Sequence, residues 1–89
     1  MQQMPTQKES EREYQAGYAR VMWFAERARL RGWRMSERQL IHEIIQRERA
    51  AEIHEKSSLP VIDSGTRSVA WNRGQADALR KVLRDQRES

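Results

Sequence analysis

Apolar residues in the first third of the chain recur at helical spacing. Tyr14, Tyr18, Val21, Ala25 and Ala28 follow one another at intervals of four and three, one face of a 3.6-residue period. The pattern predicts a helix over residues 11–31. Trp23 falls on the opposite side of that helix, with Ala16, Ala19 and Leu30 close to its direction and Met22 and Phe24 on the flanks. An outer helix of a small monomer needs one apolar face, and this helix has two. Either it is sandwiched inside the fold, or the second face (Ala16, Ala19, Met22, Trp23, Leu30) is an interface for a protein partner or a second copy, most simply a twofold homodimer.

Two further helices follow. Ser36-Glu37-Arg38-Gln39 fits a capping box, and it opens a helix over 37–55. Its expected buried face is Leu40, Ile41, Ile44, Ile45 and Ala51, with Glu48 inside the stripe as a rim residue or the partner of an arginine from a neighbouring helix. Pro60 breaks the helical pattern. The connector 57–65 carries Leu59, Val61 and Ile62 as an apolar plug. A third helix is expected over 65–86, capped by Asp63 or Ser64, with the stripe Trp71, Gly74, Gln75, Ala78, Leu79 and Val82.

Helix ends carry their own signals. Thr6-Gln7-Lys8-Glu9 and Ser10-Glu11-Arg12-Glu13 both fit a capping box, and Ser10 is the better start because the apolar period begins at Tyr14. Gly32, after Arg29, Leu30 and Arg31, reads as a left-handed C-cap with cations at the negative helix end. Residues 1–9 are then a flexible tail, 10–86 one domain, and 87–89 a frayed end.

Two glycines lie inside predicted helices, each in the same short context: Tyr14-Gln15-Ala16-Gly17-Tyr18-Ala19 and Trp71-Asn72-Arg73-Gly74-Gln75-Ala76. Glycine inside a helix costs about 1 kcal/mol relative to alanine. A close backbone crossing of the first and third helices at Gly17 and Gly74 would offset both costs. The expected fold is all-α, a compact three-helix domain built on that crossing.

Composition narrows the class. The 89 residues allow one domain, and 34% of them are charged, against roughly 25% in ordinary domains. With no cysteine, disulfides and thiolate chemistry are excluded, which fits a reducing compartment. The longest apolar run, residues 21–25, is far short of the ~20 residues a membrane span needs. The N-terminus lacks the pattern of a signal peptide. A cytoplasmic protein without membrane attachment is expected.

Charge suggests partners. The net charge is +4, and arginine far outnumbers lysine among the basic residues. Arginine presents a planar fork suited to phosphate and carboxylate. Arg27, Arg29, Arg31, Arg34 and Arg38 surround the first turn, with Trp33 among them and Glu37 as the one acid. That mixture suits phosphate contacts and base stacking, or simply a solvated helix end. Arg73, Arg80, Arg84 and Arg87 form a stripe on the third helix opposite its core face, where Asp77 can pair with Arg73. Ala28 and Gly32 have the spacing of a helix-turn-helix, which would place Arg34, Glu37, Arg38 and His42 in a major groove. Arg38 stands where that motif wants an apolar residue.

Little points to catalysis. His42 and His54 sit twelve residues apart, about 120° around one helix, and do not share a face as paired zinc ligands would. No catalytic residue, metal ligand or cofactor is expected. The sequence reads as a small basic, non-enzymatic regulator that binds nucleic acid or a nucleoprotein through Arg27, Arg31, Arg34, Arg38, Arg73, Arg80 and Arg84. The alternative is a protein-binding inhibitor or adaptor using the Trp23 face. It would be of the kind phages and mobile elements encode, for example against a host nuclease or defence complex.

Overall fold

A computed structural model describes residues 7–56 and 69–88. They form three helices, α1 (Gln7–Leu30), α2 (Glu37–Lys56) and α3 (Val69–Glu88), with no strand among the described residues. The all-α, three-helix class is as the periodicity predicts. α1 starts three residues before Ser10, and α3 continues through Arg87, which pairs with Glu37 on α2. The connector plug, the proposed Asp63 or Ser64 cap and the expected start of the third helix lie outside the described residues.

The central element is α3. It packs against both α1 and α2, while no Cα of α1 comes within 8 Å of a Cα of α2. The burial pattern agrees: Gly17 alone is buried on α1, whereas seven residues of α3 are. The sandwiched position considered for the first helix is therefore held by the third. Leu40, Ile44, Leu79 and Val82 form the buried core, with Val21, Met22, Ala25, Met35 and Leu83 packed against it. Full burial of an aliphatic side chain of this kind contributes about 1.5–3 kcal/mol.

The two glycines set the α1–α3 geometry. A Cβ on Gly17 would lie 3.0 Å from the carbonyl carbon and 3.2 Å from the Cα of Trp71, and closer still to its oxygen. A Cβ on Gly74 would lie 3.0 Å from the Tyr14 carbonyl carbon and 3.1 Å from the Tyr18 nitrogen. Each glycine thus accepts the backbone of the other helix. Beside the crossing, the Tyr14 hydroxyl donates to Asp77 Oδ2 at 2.5 Å.

That bond has a pH consequence. The bond to the Asp77 carboxylate, then burial, pushes the Tyr14 phenol up from 10.0 to about 12. The folded chain holds this proton more tightly than the unfolded chain. Its contribution is therefore complete below pH 10 and is lost as pH rises toward 12. Thermal melts should show wild-type stability falling across that window more steeply than stability of Tyr14→Phe. Parallel curves for the two proteins would refute the bond.

The α1–α2 turn is fixed by local chemistry. Among the described residues, Gly32 is the one with positive φ, at 75°. Its N–H donates to Arg29 O at 3.0 Å, and Trp33 N–H donates to Ala28 O at 2.9 Å. These two bonds form a Schellman cap. Ser36 Oγ accepts from Gln39 N–H at 3.4 Å, as the capping box predicts. Between the caps, Gln86 of α3 holds Met35 from both sides: Met35 N–H donates to Gln86 Oε1 at 3.0 Å, and Gln86 Nε2 donates to Met35 O at 2.9 Å.

One expectation for α2 is corrected. Ile41 and Ile45 are exposed rather than buried. α2 meets one neighbouring helix, so its covered sector is narrow and is filled by Leu40, Ile44 and Ala51. Ile41 and Ile45 lie beyond its edge, about 100° and 140° around the helix from Leu40.

Candidate nucleic-acid interface

Because α1 and α2 flank α3 without meeting, a groove of about 850 Å³ runs between them. Trp71, Gln75 and Leu79 line it from α3, at the i, i+4, i+8 spacing that places them along one side of a helix. Arg20, Trp23, Phe24, Arg27 and Arg31 form the α1 wall, Trp33 stands at the turn, and Gln39, Glu43 and Arg47 come from α2. The chain has three tryptophans and one phenylalanine, and all four line this groove.

The aromatic rings are accessible. Trp23 is 47% exposed, Phe24 52% and Trp33 66%. Trp23 and Phe24 pack edge to face at 5.0 Å. Guanidinium groups lie against these rings: Arg27 is 4.0 Å from the Trp23 centroid, Arg20 is 4.8 Å from that of Phe24, and Arg31 is 5.4 Å from that of Trp33. Such contacts hold an arginine without neutralising it. Arg20, Arg27 and Arg31 make no ion pair with a described carboxylate. Glu43, the one acid in the lining, pairs with Arg47 at 3.3 Å.

Two groove-lining side chains carry buried polar atoms without partners. Gln75 is 5% exposed, and its Oε1 accepts no hydrogen bond. Arg47 Nε is likewise buried and without an acceptor. Each such orphan costs about 1–3 kcal/mol in a folded protein.

The arginines chosen from sequence fall into separate places. Arg27 and Arg31 belong to the groove. Arg34 Nη2 donates to Gln86 O at 2.5 Å, behind the turn. Arg38 is exposed on α2. Arg73 and Arg80 are on the far side of α3, where they pair with α2: Arg73 Nη2 with Glu55 Oε2 at 2.5 Å, and Arg80 with Glu48. Arg87 Nε donates to Glu37 Oε1 at 2.8 Å, completing an interhelical ladder. Asp77 pairs with Arg80 at 2.9 Å, in place of the expected Arg73. Arg84 is exposed on that same side of α3. The seven arginines therefore do not converge on the groove: Arg27 and Arg31 line it, while Arg34 meets the C-terminal end of α3 and Arg73 and Arg80 face α2. Arg73, Arg80 and Arg87 of the stripe hold α3 against α2, through half-exposed pairs worth about 0.2–1 kcal/mol each.

On the other expected surface, Ala16, Ala19, Trp23 and Leu30 are exposed, while Met22 is half-buried against the core. Of the residues a helix-turn-helix would use, Arg34 and Glu37 are engaged by α3, leaving Arg38 and His42 on the surface. Sequence reasoning did not single out Arg20, Arg47 and Gln75. Arg20, Trp23, Phe24, Arg27 and Arg31 do carry a readable signal, since their i, i+3, i+4, i+7, i+11 spacing gathers them on one side of α1.

No described helix is long and apolar enough to cross a membrane. Comparison with protein-family models, curated proteins and solved structures finds no match to this chain.

Proposed function

We propose that the chain is a non-enzymatic nucleic-acid-binding protein, and that the groove between α1 and α2 is its binding surface. The observation that carries this reading is the convergence of Trp23, Phe24, Trp33 and Trp71 with Arg20, Arg27, Arg31 and Arg47 on one concavity. Accessible aromatic faces stack on bases, and Arg20, Arg27 and Arg31, which pair with no described carboxylate, contact phosphates. The candidate contacts shift accordingly. Arg27 and Arg31 stay, Arg20 joins them, and Arg73 and Arg80 are set aside because α2 carboxylates already meet them.

A second reading rests on a different observation. Trp23 and Leu30, the latter 73% exposed, leave the outer face of α1 uncovered beside Ala16 and Ala19. Tryptophan and arginine are enriched in protein interfaces, so this face suits a protein partner or a second copy.

One titration separates the readings. With all three tryptophans in the groove, intrinsic fluorescence should be quenched when a mixed-sequence oligonucleotide is added. Affinity should fall steeply from low to moderate salt. Trp33→Ala should weaken binding about tenfold, the scale of one lost base stack. An affinity indifferent to both salt and this substitution sinks the nucleic-acid reading and leaves the protein-partner reading, which solution mass with and without candidate partners then tests.

A further inference from the structure

The groove accommodates more than a phosphate backbone. Its α1 wall is cationic and aromatic, Trp71 and Leu79 add apolar surface, and Gln75 Oε1 and Arg47 Nε are buried polar atoms with nothing to bond. Gln75 is 5% exposed. Both atoms are closed to water as the side chains stand, and a ligand carrying both a donor and an acceptor would satisfy them once the two side-chain ends turn into the groove.

We infer that the groove takes single-stranded nucleic acid, with one unstacked base seated deep enough for its edge to bond Gln75 and Arg47 while its sugar-phosphate lies along Arg20, Arg27 and Arg31. The inference rests on the nucleic-acid reading and adds strand form and mode. A paired duplex keeps the Watson–Crick edges and the faces of its bases inside the stack, out of reach of the groove tryptophans. A single strand presents both. From Arg20 to Arg31 the wall is about 16 Å long at 1.5 Å rise per residue, room for a few nucleotides of extended strand.

An acidic peptide helix is the rival occupant. It would match the arginines, but its backbone amides are already bonded within its own turns. Its carboxylates would accept from Arg47 Nε but offer no donor to Gln75 Oε1. A base offers donor and acceptor groups along its exposed edges.

The test compares wild-type protein with Gln75→Leu, a substitution of similar size that removes the orphaned acceptor. Thermal stability should be unchanged or higher, because the buried carbonyl disappears. The probe is one short mixed-sequence strand, of DNA or RNA, alone and annealed to its complement, followed by tryptophan quenching. Wild type should bind the single strand at least tenfold more tightly than the duplex, and Gln75→Leu should lose about tenfold for the single strand only. If Gln75→Leu melts early, Arg47→Met provides the same comparison from α2.

The outcomes separate the two levels of argument. Equal affinity for strand and duplex, or no loss in Gln75→Leu, overturns the seated base while leaving nucleic-acid binding intact. Failure of both nucleic acids to bind overturns both proposals. Displacement of the strand by poly-glutamate at equal charge concentration assigns the groove to acidic peptide and overturns the inference.

Discussion

Gly74→Ala should destabilise the fold by about 3 kcal/mol, at the upper end for overpacking, although alanine is the better helix former by about 1 kcal/mol. The two effects act in opposite directions, and their sizes decide the outcome. A Cβ on Gly74 meets the Tyr14 carbonyl and the Tyr18 nitrogen. These are backbone atoms of a helix and cannot rotate away as a side-chain tip would. Relief requires moving α1, and with it the Tyr14–Asp77 bond. Gly17→Ala should behave alike, because it meets the Trp71 backbone. In a domain this small, about 4–8 °C of melting temperature accompanies each kcal/mol, so both variants should be largely unfolded well below the wild-type midpoint. Gly32→Ala is the control. Nothing lies within 4 Å of its Cβ, and its φ of 75° alone sets a smaller cost, about 1 kcal/mol. Melts by circular dichroism measure all three. A rise in midpoint for Gly17→Ala or Gly74→Ala would mean that propensity dominates and the helices do not cross there.

The crossing was legible in sequence because each glycine carries a local cost that demands a tertiary offset. The helix class, the Ser36 cap and the Gly32 cap were legible because each rests on neighbouring residues. What periodicity cannot supply is which helix is central. α1 and α3 are both amphipathic, and only the assembled contacts show that α3 has neighbours on two sides and α1 on one. The same gap affects the candidate site. Arginines on the third helix read as an open stripe until Glu37, Glu48 and Glu55 of α2 come to face them. Gln75 read as one more member of a buried stripe, and its unpartnered oxygen is visible only in three dimensions.

Leu40→Ala should cost about 2–5 kcal/mol, and Ile41→Ala next to it should change stability by less than about 0.5 kcal/mol, as surface substitutions do. From sequence both isoleucine and leucine belong to one apolar stripe. In the structure Leu40 is fully buried in the core with Ile44, Leu79 and Val82, while Ile41 is 41% exposed. The loss at Leu40 combines the transfer of its lost methyl groups with the cavity they leave. The site can collapse little, because α2 and α1 have no Cα atoms within 8 Å of each other and only side chains such as Val21, Met22 and Ala25 close the core from the α1 side. Loosening α2 should also reach function. Gln39, Glu43 and Arg47 form its side of the groove, and a weakened α2–α3 seam would let that wall drift. Leu40→Ala, studied at a temperature where it is still folded, should therefore bind a single strand more weakly than wild type. Ile41→Ala should match wild type in both melting and binding. Equal destabilisation by the two substitutions would restore the broad buried face that the periodicity predicts and would place a further element against the outer side of α2.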